Sequence, residues 1–170
     1  MFELVVVLGV IRRLREHTRI LDSLVKDQGF ADVGHVEERL PDAGVSVGAF
    51  AVTTLDGEPM NERSLRGQRL VAFFSVDCGA CVDSVPGFVT FAREHAGGLS
   101  GLAVVRATPG EGTAMVEALR SVVPVVLEHN STPVSTAFKV SAYPAYVLVD
   151  EGRVLGSAIA LDRLHLPATA

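Results

Sequence analysis

Tryptophan is absent from this chain of 170 residues, lysine occurs only at Lys26 and Lys139, and the only cysteines are Cys78 and Cys81. Each scarcity closes a class of reading. Two cysteines separated only by Gly79 and Ala80 cannot form the spread-out framework of a disulfide scaffold, and a bridge between them would staple almost nothing. A net charge of -5 leaves no large basic footprint, so no nucleic-acid partner is expected. Charged residues make up 21% and hydrophobic ones 48%. That is too little charge for disorder and enough apolar material for a packed core without metal or disulfide staples. The excess of arginine over lysine is read as codon bias.

Long apolar runs are missing as well. Residues 1–11 are apolar apart from Glu3, yet about 20 such residues are needed to span a bilayer. Basic residues follow this run instead of preceding it, which does not suit a secretory signal. Two readings remain: the end of a membrane anchor, which is favoured, or an amphipathic helix whose stripe continues through Ile11, Leu14, Leu21 and Leu24. Arg12, Arg13, Arg15 and Arg19 form a solvated basic face that beside a membrane would meet anionic head groups. The positive-inside tendency would put that face on the cytoplasmic side, leaving topology open. The domain reading is an apolar and basic helix at 1–25, a linker at 26–44 (the Pro- and Gly-containing stretch 41–48 closing it), and a compact domain at 45–170.

Within the compact part, Phe50, Val52 and Leu55 lead into Asp56-Gly57, a dipeptide suited to a hairpin turn. Residues 70–76 are almost continuously apolar, as in a strand buried on both faces. The spacing of Val82, Val85, Phe88, Val89 and Phe91 predicts a helix over 81–95, kinked at Pro86 unless that proline ends it. A strand at 102–107, a helix at 113–122, a short strand at 125–127 and a helical turn at 131–138 follow. Strands at 143–149 and 153–158 flank the turn Asp150-Glu151-Gly152. Alternating strands and helices that close in a hairpin indicate an α/β sheet with an antiparallel edge.

The chemistry centres on Cys78-Gly79-Ala80-Cys81. A strand that delivers Cys-x-x-Cys into a helix puts the first sulfur at a helix N-terminus, where unpaired N–H groups and the helix dipole favour thiolate. Cys81, one turn on, is placed to resolve a mixed disulfide formed at Cys78. Two other readings stand beside this one: two ordinary buried cysteines, or half of a zinc site. Structural zinc takes four ligands, whereas no second cysteine pair exists and His17, His35, His95, His129 and His165 lack ligand spacing. No metal and no cofactor are expected.

The order of motifs is more specific than the cysteine pair. Leu65-Arg66-Gly67-Gln68, the strand ending Phe73-Phe74-Ser75-Val76-Asp77, the cysteine motif, Pro86 and Tyr143-Pro144 together resemble the thioredoxin superfamily over residues 45–160. More narrowly they resemble the membrane-anchored bacterial branch typified by TlpA and ResA, including the MauD-like methylamine-dehydrogenase accessory proteins. The resemblance implies a central mixed sheet flanked by helices, an N-terminal hairpin, and a strand–helix insertion near 102–122, between the Cys-x-x-Cys and a cis proline. It implies catalytic Cys78 and Cys81, and a cis Pro144 that presents the Tyr143 backbone to an extended substrate, where the alternative is a proline that merely opens a strand. It also implies a protein thiol or disulfide partner, an upstream redox partner, and an extracytoplasmic domain with membrane association through residues 1–20; a soluble cytoplasmic protein is the alternative.

Three departures qualify the resemblance. Asp77 stands where the family has tryptophan, and is expected either to tune Cys78 or to cap the helix. Ala72 stands where thioredoxins bury an acid, so proton transfer at Cys81 would need another group or water. The C-terminal helix is expected to be brief, with Pro167 close to the chain end. Two further functions are set against thiol–disulfide exchange. A thiol peroxidase would need a threonine and proline ahead of the cysteine, which Ser75-Val76-Asp77 does not supply. A non-catalytic binding module would keep the fold with its chemistry blunted by Asp77.

Overall fold

A computed structural model describes residues 40–165. The helix expected at 1–25 and most of the linker expected at 26–44 lie outside the described residues. β1 (Ala51–Thr53) and β2 (Pro59–Asn61) pair as the expected antiparallel hairpin. Gly57, in the turn between them, takes a positive φ of 83° that a side chain would strain.

β3 (Gln68–Ser75) is the central strand. It leads into α1 (Gly79–Glu94), β4 (Ser100–Arg106), α2 (Thr113–Arg120), β5 (Val125–Glu128) and α3 (Pro133–Ala137). The hairpin of β6 (Ala145–Asp150) and β7 (Arg153–Ala158) follows. The sheet order is β5-β4-β3-β6-β7, with β3, β4 and β5 parallel and β6 antiparallel to β3 and β7. The strands and helices expected between residues 50 and 158 are all present, with ends shifted by a few residues. Two shifts matter for the site: α1 begins at Gly79, so Cys78 is its N-cap, and β6 begins after Pro144, which has no N–H to give a ladder. The last helical element among the described residues is a single 3-10 turn, Leu161–Arg163.

The pleat of β3 divides the core in two. Leu70, Ala72 and Phe74 face α1 and α2, together with Cys81, Phe88, Leu119 and Tyr146. Val71 and Phe73 face the other way, onto α3 and the hairpin, where Phe73 meets Phe138 edge-on at 5.4 Å. A strand covered on both sides has to be apolar throughout, which explains its unbroken hydrophobic run.

The stretch 41–48 is not a free linker. Gly44 N–H donates to the Val154 carbonyl (2.7 Å), Val154 N–H to Val45 (2.9 Å) and Val47 N–H to Gly152 (2.9 Å). The Arg153 guanidinium donates to the Gly44 carbonyl and Ser157 Oγ to that of Pro41. This segment therefore covers the edge of β7, whose unpaired backbone groups would otherwise invite another strand. α1 also runs unbroken through Pro86, which lies on its exposed side, so the proline does not end the helix. Among the described residues no helix is long and apolar enough to cross a membrane.

Candidate active site

The site lies where β3 ends and α1 begins. Cys78 has extended backbone (φ -107°, ψ 109°), and its N–H is anchored on the Ser75 carbonyl at 3.2 Å. Its own carbonyl accepts the first helical hydrogen bonds, from Cys81 N–H (3.0 Å) and Val82 N–H (3.2 Å). No side chain caps α1, so the cap expected of Asp77 is not formed; Asp77 points into solvent. The positive end of the helix is left to the Cys78 sulfur.

The two sulfurs sit in different surroundings. Cys78 is half-buried, with Sγ 3.5 Å from the Tyr143 carbonyl oxygen. The Tyr143–Pro144 peptide is cis, and Pro144 is buried. Cys81 is completely buried, and its Sγ accepts the Ser75 N–H at 3.4 Å. Both are free thiols. Burial pushes the Cys81 thiol up to about 12; its hydrogen bond with Cys78 adds to this, the Ser75 amide opposes it, and the Cys78 charge adds a little more. The geometry therefore pairs an accessible sulfur with a shielded one that holds its proton.

That difference carries a stability consequence. An unfolded cysteine titrates near about 8.5, so below that pH both states hold the Cys81 proton and its contribution is fully present. Between about 8.5 and 12 the unfolded chain has released a proton that the folded chain keeps. Stability of the reduced protein should fall through this window by about 1.4 kcal/mol per pH unit. Urea unfolding at pH 8, 9 and 10 measures it; the oxidised protein, having no thiol to titrate, should lack this component.

Ala72 pairs directly across the β3–β6 ladder with Tyr146. The small side chain leaves space for the Tyr146 ring, which packs against Phe74 (5.9 Å) and Phe88 (6.2 Å) in the cluster that holds Cys81. Burial raises the Tyr146 phenol, a contact with the Ser84 hydroxyl opposes the shift, and the charge of Cys81 adds to it. In place of a buried acid, this point of β3 thus holds an alanine beneath a protonated tyrosine. Sequence reasoning missed Tyr146 and Ser84, although the step of two from Pro144 placed Tyr146 on one face of a strand. Among the described residues no three His, Cys, Asp or Glu side chains converge as metal ligands. His95 stacks on Phe91 at 4.0 Å and bonds the Phe91 carbonyl; His17 and His35 lie outside the described residues.

Solved structures share the fold that carries these residues. The thioredoxin domain of a thiol-disulfide oxidoreductase from Bacteroides vulgatus superposes with a TM-score of 0.59 at 20% identity, over 71% of this chain and 91% of that one. The chain has the thioredoxin fold. A secreted Mycobacterium tuberculosis disulfide oxidoreductase homologous to Escherichia coli DsbE gives a TM-score of 0.56 at 17% identity, over 71% and 86% of the two chains. A putative thiol:disulfide interchange protein DsbE from Chlorobium tepidum gives 0.56 at 22%, over 70% and 86%. No family model and no curated protein matches the chain. This thioredoxin fold brings Cys78, Cys81, Tyr143 and Pro144 together; Asp77 flanks them at the surface, and Pro86 lies further along α1.

Proposed function

We propose that the protein is a thiol–disulfide oxidoreductase acting on protein disulfides through Cys78 and Cys81. The observation that carries the reading is the division of labour between the sulfurs. Cys78 stands accessible at an uncapped helix start beside the cis-proline segment, while Cys81 is buried one turn away with its proton held. In the reducing direction the Cys78 thiolate attacks a substrate disulfide, forming a mixed disulfide and releasing one substrate thiolate. Cys81 then gives up its proton to water and, as the thiolate, attacks Cys78 Sγ, breaking the mixed disulfide and releasing the second substrate sulfur as a thiolate. The products are a Cys78–Cys81 disulfide and a reduced substrate, two electrons having passed to the substrate. Oxidation of a partner is the reverse sequence. Tyr143 and Pro144 offer the substrate a strand-like edge beside Cys78.

An upstream redox partner resets the pair. The resemblance to methylamine-dehydrogenase accessory proteins favours a partner whose own disulfides mature through this site. Residues 1–20 tether the domain to a membrane on the oxidising side, where disulfides persist; membrane fractionation and protease accessibility of the full chain test that placement.

The deciding experiment is the reduction potential. The protein is equilibrated in graded thiol–disulfide buffers and its free thiols are counted by mass after alkylation. One reversible two-electron transition is expected, near about -270 mV for a reductant or about -120 mV for an oxidant. If no Cys78–Cys81 disulfide forms in any buffer, the reading fails.

Asp77 is proposed to moderate Cys78 through the field of a solvent-exposed carboxylate on the adjacent residue. Asp77→Asn should speed alkylation of Cys78 by iodoacetamide at pH 7 by about threefold, a modest factor because Asp77 is exposed and its charge screened. An unchanged rate would remove Asp77 from the site.

A further inference from the structure

Glu128 ends β5 with its side chain only 1% exposed, and the exchange chemistry makes no use of it. Its partners show what it holds. Thr132 makes no side-chain cap for α3, and Pro133 has no N–H, so the buried amides of Val134 and Ser135 need another acceptor. Glu128 Oε1 takes both, at 2.6 and 3.1 Å. Its other oxygen, Oε2, accepts the Ser135 hydroxyl at 2.5 Å.

A serine hydroxyl has one proton to give. With that proton committed to Glu128, the remaining contact of Ser135 Oγ, to the Tyr143 hydroxyl at 3.3 Å, runs the other way, with the phenol donating. The chain is therefore directed: Tyr143 hydroxyl to Ser135 Oγ to Glu128 Oε2. At its other end Tyr143 offers Cys78 Sγ its carbonyl oxygen. One half-buried residue is thus tied through its ring to a buried carboxylate and through its backbone to the reactive sulfur.

We propose that Ser135, anchored by Glu128, is a positioning residue for polypeptide substrates: it fixes the Tyr143 ring so that an extended segment finds a preformed edge beside Cys78. The proposal rests on the exchange reading above and assigns it a determinant on α3. Pre-ordering the ring spares a substrate the cost of immobilising it, so the effect belongs in KM.

The test uses the full chain and reduction of insulin disulfides, with dithiothreitol as the electron source. Wild type, Ser135→Ala, Tyr143→Phe and the double variant are compared. Each single substitution cuts the same hydrogen bond and should raise KM roughly three- to tenfold. The double variant should show the same rise as either single one, because the bond can be lost only once. Urea midpoints of the four proteins establish that all are folded. An unmoved KM in folded single variants, or single effects that multiply in the double variant, would overturn the role of Ser135. A wild-type protein that turns over no insulin at all removes the exchange reading itself, and this proposal with it; that result is distinguishable from an active wild type with unmoved variants.

Discussion

Cys78→Ser is expected to reduce disulfide exchange by at least about a thousandfold, whereas Cys81→Ser should leave the first step intact and halt the second. A thiol is a few per cent thiolate at neutral pH and strongly nucleophilic as such, while a serine hydroxyl is essentially un-ionised there. Cys78 is the half-buried sulfur at the start of α1, and Cys81 is completely sealed. Substrate therefore meets Cys78 first. With Cys81 replaced, the mixed disulfide formed at Cys78 has no internal attacker and should accumulate, detectable as a covalent adduct by mass under non-reducing conditions. The reverse pattern, an adduct on the Cys78→Ser protein and none on the Cys81→Ser protein, would exchange the two roles. Adducts on neither would favour the binding-module reading. Serine in either place changes one atom in the side chain, so folding can be compared directly by urea midpoint.

Much of this site was legible before the fold, because its signals are local. The unbroken apolar run of β3 announces a strand buried on both faces, and it ends directly before the cysteine motif. The period of Val85, Phe88 and Val89 marks the inner face of α1. Other features depend on which strands become neighbours. Glu128 reads as an ordinary acid at a strand end; only the approach of α3 buries it and supplies its three donors. Ser135 and Tyr143 are eight residues apart and belong to no common periodic element, so their contact has no pattern in the chain. Residues 41–48 read as a linker from their side chains, yet what ties them to β7 is mostly backbone N–H and C=O, which every residue carries alike. The relation of Ala72 to Tyr146 likewise depends on the register of β3 against β6, across more than seventy residues of sequence.

That register makes Ala72→Asp the substitution with the largest expected cost to stability. Ala72 is completely buried on the face that carries Leu70, Phe74 and Cys81, with Tyr146 directly across the ladder. A carboxylate there enters a cluster of buried apolar and aromatic side chains and displaces their packing, a penalty of about 3–5 kcal/mol. Against a typical total stability of about 5–15 kcal/mol, that is a large fraction. The sign of its pH dependence separates charge from crowding. Burial would hold the new carboxyl above the usual carboxylate range, so the folded state would prefer it protonated. The deficit relative to wild type should therefore be smaller at pH 4 and grow as pH rises toward 7, where the unfolded chain ionises and the folded chain resists. Urea unfolding of both proteins at the two pH values measures this. A deficit equal at pH 4 and 7 would mean that crowding of the Tyr146 ring sets the whole cost. A deficit under about 1 kcal/mol at pH 7 would mean that the strand yields enough room and water for an acid beside Cys81, and Tyr146 would then not be filling the place of that acid.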